Sequence, residues 1–189
     1  LVRMDAGVIE QVFTAGGTWN KPAGAKSVWV RVIGGGGAGG GAPTNIAGAS
    51  AMGGGGGSGE YAEGMFAASA LGATVTITIP AAAAGVSGGT GNNGGTISFG
   101  AHVTAAGGLG GPVRATSASP FGQIGGAGGA GGTGGSFRIA GSPGGTCFAR
   151  NVMSLTKAGL DARGCSGLPE TSRGPALPRH PAGRPATLF

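Results

Sequence analysis

The residue pattern closest to a catalytic motif is Gly85-Val86-Ser87-Gly88-Gly89, which has the spacing of a nucleophile elbow. That motif holds its serine on a strained turn between a strand and a helix, with histidine and carboxylate partners. Here alanines 81–84 precede it, which supplies no strand, and a chain this rich in glycine produces the spacing by chance. Only His102 and His180 could act as imidazole bases, and a lone His102 beside a β segment fits packing better than ligation. Glu60 and Glu63 are three residues apart. In extended chain their side chains point to opposite faces, so they do not form an acid–base pair. Cys147 and Cys165 lack C-x-x-C spacing; they form one bridge or remain two thiols. Metal ligands are too few to build a site. The repeated G-x-G-x-x-G matches lead into no helix with a ribose-binding acid, and Gly24-Ala25-Lys26-Ser27 lacks the P-loop GK[ST]. Leu168-Pro169-Glu170-Thr171-Ser172 resembles a sortase signal but lacks the following glycine and an anchor. A protein that is not an enzyme, with no cofactor and no metal, is the expectation.

The elements that would have to position such groups are equally unlike those of an enzyme. Of 189 residues, 48 are glycine, 5% are aromatic and 10% are charged. Average proteins have roughly 7% glycine and about 25% charged residues. Most of the apolar content is alanine, which buries little area. Backbone hydrogen bonds and close backbone approach must therefore hold the chain together. Glycine keeps no strict every-third-residue register along the chain, which excludes collagen.

The net charge of +6 is unevenly placed. Arg3, Lys21, Lys26, Arg31, Arg114 and Arg138 face Asp5, Glu10, Glu60 and Glu63 across residues 1–144, and the remaining excess lies in the tail. Single-stranded nucleic acid is bound by basic residues interleaved with aromatics. The tail has only Phe148 and Phe189, so nucleic acid is not an expected partner. No run of 18 apolar residues exists, so no membrane insertion is expected. Arg3, Asp5 and Glu10 interrupt any apolar N-terminal stretch, so no signal peptide is expected either.

Three regions emerge. Residues 1–33 read as an N-terminal β platform. Val8 to Thr14 is one strand, and Ser27 to Ile33 is a second, with Val28, Val30 and Val32 on one face and Trp29 and Arg31 on the other. Both tryptophans are expected to pack this platform. Residues 34–145 form a glycine-rich domain. Within it, strands are expected over Glu60 to Phe66 and Thr74 to Ile79, with weaker ones at Thr96 to Phe99 and His102 to Thr104. Residues 125–135 repeat Gly-Gly-Ala, Gly-Gly-Ala, Gly-Gly-Thr, Gly-Gly. A period of three matches neither helix nor strand but does match a left-handed extended helix. Ala127, Ala130 and Thr133 then stack on one face and glycine fills the other two. Such rods pack closely through backbone bonds. Residues 146–189 are a Pro/Arg-rich tail, with a short helix expected over 151–160 and disorder or polyproline II from Gly167 onward. The fold expected is therefore mainly β with polyglycine-II helices, a β platform followed by packed glycine rods, and an irregular tail.

Several stretches in order resemble the glycine-rich domain of bacteriophage tail fibres and minor tail proteins. They are Val12-Phe13-Thr14-Ala15-Gly16-Gly17-Thr18-Trp19-Asn20-Lys21-Pro22-Ala23-Gly24-Ala25, then Val28 to Ile33 into Gly34-Gly35-Gly36-Gly37, then Gly59-Glu60-Tyr61-Ala62 and the strand before Pro80. Gly94-Gly95-Thr96-Ile97-Ser98-Phe99-Gly100 and Val103-Thr104-Ala105-Ala106-Gly107-Gly108 complete the series. The likeness covers Val8 to Gly145 and departs from the family pattern after it. It implies a non-catalytic virion protein of the tail, assembled in the bacterial cytoplasm, that takes part in host-surface recognition. Its implied partners are a host glycan or surface protein and other tail proteins. A homotrimer is the family expectation, and a self-contained monomer is the other reading. The inserts Pro43 to Met52 and Val113 to Gln123 are the variable segments, with Asn45, Arg114 and Phe121 as receptor-contact candidates. The alternative is a purely structural glycine-rich protein, of the capsid or tail decoration type or of the extracellular or ice-binding type.

Overall fold

The computed structural model describes residues 2–5, 7–45 and 49–149. The architecture is mainly β. Its strands are β1 (Val2–Asp5), β2 (Val8–Gln11), β3 (Gly17–Asn20), β4 (Ser27–Ile33), β5 (Ser50–Gly53), β6 (Tyr61–Ala67), β7 (Thr74–Thr78), β8 (Ile97–Phe99), β9 (Val103–Ala105), β10 (Val113–Ser117), β11 (Phe121–Gln123), β12 (Phe137–Ile139) and β13 (Cys147–Ala149). A 3-10 turn, Ala68–Ala70, follows β6. Among the described residues the strand pairings are antiparallel.

Two sheets carry the apolar core. One runs β3-β7-β8-β9 and the other β12-β6-β4. β3 and β4 are neighbours in sequence, yet each recruits later strands, in different sheets. The inner faces follow from alternation. Val30 and Val32 of β4 and Val75 and Ile77 of β7 point inward and are buried, as period two requires. They meet Trp19, Ala62, Leu71, Phe99, Val103 and Ala105. Trp19 and Phe99 pack edge to face at 5.4 Å. His102 lies against the rings of Phe66 and Phe99, at 5.7 and 6.0 Å, so it serves the packing of this layer.

The outer face of the second sheet departs from the sequence expectation. Trp19 packs the core, but Trp29 is 59% exposed. The β4 alternation that buries Val30 and Val32 must turn Trp29 outward, and no further layer covers it among the described residues. The Arg31 guanidinium lies over its ring, 4.7 Å from the centroid.

Between the sheets and the far end of the molecule run the glycine segments, which apart from Gly53 belong to no strand. The chain leaves the sheets at residues 34–41, returns at 53–60, leaves again from 80, returns at 89–95, leaves at 106–112, returns at 124–133 and leaves a last time at 141–145. These legs bond to one another at every third residue. Gly34, Gly37 and Gly40 donate to the carbonyls of Glu60, Gly57 and Gly54, while Gly35, Ala38 and Gly41 donate to those of Gly95, Asn92 and Gly89. Gly54, Gly57 and Glu60 donate in turn to Pro112, Leu109 and Ala106. Gly126 and Gly129 donate to Gly55 and Ser58, and Gly141 and Gly144 to Gly129 and Gly126. The partner pattern sorts the six glycine legs into two rows, with 89–95, 106–112 and 124–133 over 34–41, 53–60 and 141–145. Burial follows the same period. Gly54, Gly57 and Glu60 are buried, as are Gly126 and Gly129, whereas Gly36, Gly39, Ala127, Ala130 and Thr133 are exposed.

Glycine is required by the close approach of these backbones. A Cβ on Gly57 would overlap the Ala127 carbonyl, and one on Gly37 the Leu109 carbonyl. At Gly36 and Gly39 the nearest atom would be 3.7 Å away, an ordinary contact. The helix expected over 151–160 and the irregular tail lie outside the described residues.

Candidate functional site

At the end of the legs remote from the two core sheets, the inserts come together. β5 of the first insert pairs with β10 of the second, Val113 opposite Gly53, Arg114 opposite Met52 and Ser117 opposite Ser50, with a bulge between Arg114 and Ser117. Ser117 then closes a tight turn. Its hydroxyl accepts from the Ser119 N–H and donates to the Ser119 carbonyl, both at 3.2 Å. Past Pro120 the chain returns as β11 and pairs with β13, Gly122 opposite Phe148. This reversal brings Phe121 back under Arg114, whose guanidinium carbon lies 5.3 Å from the ring centroid. Two of the three receptor-contact candidates are thus one unit, a cation on an aromatic face.

Asn45 is exposed, and no described contact joins it to that pair. The residues following it, 46–48, lie outside the described set. Sequence reasoning missed Phe148, 78% exposed at the same end, and Ile124, 71% exposed beside β11. The available signal was Gly122: a Cβ there would meet the Phe148 ring at 3.0 Å, so a glycine opposite an aromatic marks where the ring lies across β11.

The other polar constellation is a structural joint. Glu60 is buried where leg 53–60 enters β6. Its Oε2 accepts from Ala106 N–H at 3.0 Å and Gly132 N–H at 2.9 Å, and its Oε1 from Arg138 Nε at 2.9 Å. Arg138 also donates to the carbonyls of Gly134 (2.6 Å) and Thr104 (2.7 Å). Burial pushes the Glu60 carboxyl up, but the two backbone donors and the guanidinium together outweigh it and hold it below the ordinary carboxylate value. Glu63 points to the opposite face, as its spacing from Glu60 requires, and accepts the Tyr61 hydroxyl.

A surface depression of about 450 Å³ lies between residues 21–26 and Ala68-Ser69 and is open to solvent. Its Lys21 ammonium is already spent on the carbonyls of Ala68 and Leu71, at 3.1 and 2.9 Å. Among the described residues no three His, Cys, Asp or Glu side chains gather into a metal-binding group, and no helix is long and apolar enough to cross a membrane. The buried Cys147 Sγ lies 3.2 Å from the Gly53 carbonyl oxygen, and Cys165 is outside the described residues.

No curated protein and no solved structure matches the chain. The model of a glycine-rich domain family matches residues 12–181, which extends the likeness past Gly145 to residue 181. Covering most of the chain, that match places it: the protein belongs to the glycine-rich domain family.

Proposed function

We propose that this protein is a non-catalytic component of a phage tail, a fibre or minor tail protein that takes part in recognising the host surface. The observation that carries this reading is the shuttling of the chain. Each departure along a glycine leg delivers a connecting segment to one end, and each return delivers a strand to the core sheets. The result is a built base and a built tip, with residues 50–53, 113–117, 121–123 and 147–149 gathered at the tip. Such a tip varies without disturbing the glycine interior, which suits contact with a changing surface. The partner would be a host glycan or surface protein at the tip, with other tail proteins at the base.

The legs themselves we read as polyglycine-II helices. Three residues per turn, about 3.1 Å of rise per residue and no internal bonds leave every amide for a neighbour. The three-residue donor period and the matching burial period support that reading. Legs of about seven residues would then hold the tip roughly 20 Å from the base.

Binding of the full chain to intact candidate host cells, with envelope polysaccharide as competitor, tests the proposal. Saturable, competable binding that weakens in Arg114→Ala and Phe121→Ala supports an adhesin. No binding by folded protein across a panel of hosts would leave a purely structural role.

A further inference from the structure

We propose that the outer face of the β4-β6-β12 sheet is the interface of a two-fold dimer of this chain. That face carries Trp29, Met65, Ile33, Phe137 and Ile139, at 59, 69, 63, 51 and 54% exposure. Scattered apolar residues are ordinary at a surface, but these five lie on one three-stranded sheet, around the Arg31–Glu63 pair, and together expose about 500 Å². The β4 and β6 part of the face, Trp29, Met65 and Ile33 with the polar Arg31, Glu63 and Tyr61 added, doubles across a dimer to about the 1,000 Å² that a specific interface needs.

The register argues for a second copy as the occupant. Across β4 and β6 the outward residues form three rows: Trp29 opposite Met65, Arg31 opposite Glu63, and Ile33 opposite Tyr61. A two-fold axis lying in the interface along the strands, between β4 and β6, exchanges the members of each row. Trp29 then sits over the partner copy's thioether row, Arg31 over the opposing acid and Ile33 over the opposing phenol ring. Each row is its own complement, as an isologous contact demands. Arg31 and Glu63 are directly opposite within the chain, yet no ion pair joins them. The salt bridge among the described residues is Glu60 with Arg138. Arg31 lies on Trp29 and Glu63 accepts from Tyr61, so both charges remain at the surface for a facing copy. A sugar fits this face less well. The Tyr61 and Phe137 rings are inclined at 68°, which offers no coplanar stacking platform. The inference stands apart from the tail-fibre reading and replaces its trimer with a pair.

The test is the mass in solution of the full chain, by sedimentation equilibrium at micromolar concentration. The intact protein is expected to be a dimer. Arg31→Glu alone places acid over acid, and Glu63→Arg alone places base over base. Each is expected to stay folded by circular dichroism and to dissociate at concentrations about a hundredfold higher than the parent. Mixed in equal amounts, the two variants are expected to recover a dimer, because each Arg then faces a Glu. Ile33→Lys, which buries a charge in the same face, is expected to be monomeric. A parent protein that is monomeric or trimeric overturns the proposal. So does a dimer that both charge reversals leave intact, or a failure of the two variants to pair. Binding of an envelope glycan that protects Trp29 fluorescence from quenching, by a chain that stays monomeric, would assign the face to sugar instead.

Discussion

Nε of Arg138 lies 2.9 Å from Oε1 of Glu60, and this pair joins the root of one glycine leg to a strand 78 residues away in sequence. The carboxylate also ends two backbone ladders. Ala106 and Gly132 donate to it rather than to a carbonyl, so it caps the legs 106–112 and 124–133 where they meet the core sheets. Removing one partner leaves a buried charge or buried donors unsatisfied, which costs about 3–5 kcal/mol. Glu60→Leu and Arg138→Met are each expected to lose stability on that scale by urea denaturation. The double variant should lose distinctly less than the sum, because it leaves no orphaned charge. Additive losses would mean that the pair is not coupled.

The same joint sets the acid limb of stability. The folded carboxyl of Glu60 titrates below its ordinary value, the backbone donors and Arg138 outweighing its burial. A depressed carboxyl contributes stability that is complete above the unfolded pKa, about 4.3. That contribution is lost as pH falls through the folded value. The melting temperature of the parent is therefore expected to be flat in this respect above about pH 5 and to fall below pH 4.5. In Glu60→Gln the fall should be shallower. Parallel acid limbs in the two proteins would remove Glu60 from the account.

The sequence showed β4 and β7 plainly because each alternates over five residues or more, with one face buried. It could not show β10 to β13, which are short, without one consistently buried face and paired with strands far along the chain, so no local period marks them. Gly-Gly-Ala spacing did expose the outward column Ala127, Ala130 and Thr133, since the lattice that buries Gly126 and Gly129 has the same period. No partner of Glu60 was legible in the sequence, because the groups it binds are 46, 72 and 78 residues away. At the tip, the turn at Ser117 and Pro120 was legible as a loop. The seating of Phe121 under Arg114 depends on pairing with β5 and β13, which only the folded chain reveals.

Substitution should separate inward from outward glycines on a single leg. Gly37→Ala puts a methyl into the Leu109 carbonyl, and neither backbone can yield without breaking the ladder. Its expected cost is about 3 kcal/mol, at the upper end of overpacking. Gly36→Ala and Gly39→Ala meet nothing closer than 3.7 Å, and their φ angles are not positive. They restrict the unfolded chain and are expected to stabilise by roughly 0.4–1 kcal/mol. Equal effects at neighbouring positions 36 and 37, read from thermal or urea unfolding, would contradict the packing of the legs.

Amide exchange provides the sharpest check on the period itself. On leg 34–41 the donors are Gly34, Gly35, Gly37, Ala38, Gly40 and Gly41, while Gly36 and Gly39 make no described backbone bond. A strand of a sheet alternates its protected amides by two, and a flexible linker protects none. Here two of every three amides should be slow and the third fast. The slow ones sit inside a lattice that opens only with much of the fold, so protection of at least about a thousandfold over Gly36 and Gly39 is expected. The same period of three, with one slow amide in each, should appear on leg 124–133, with Gly126, Gly129 and Gly132 slow and the outward Ala127 and Ala130 fast. An alternation of two, or uniform fast exchange along either leg, would exclude both the bonding pattern and the polyglycine-II reading that rests on it.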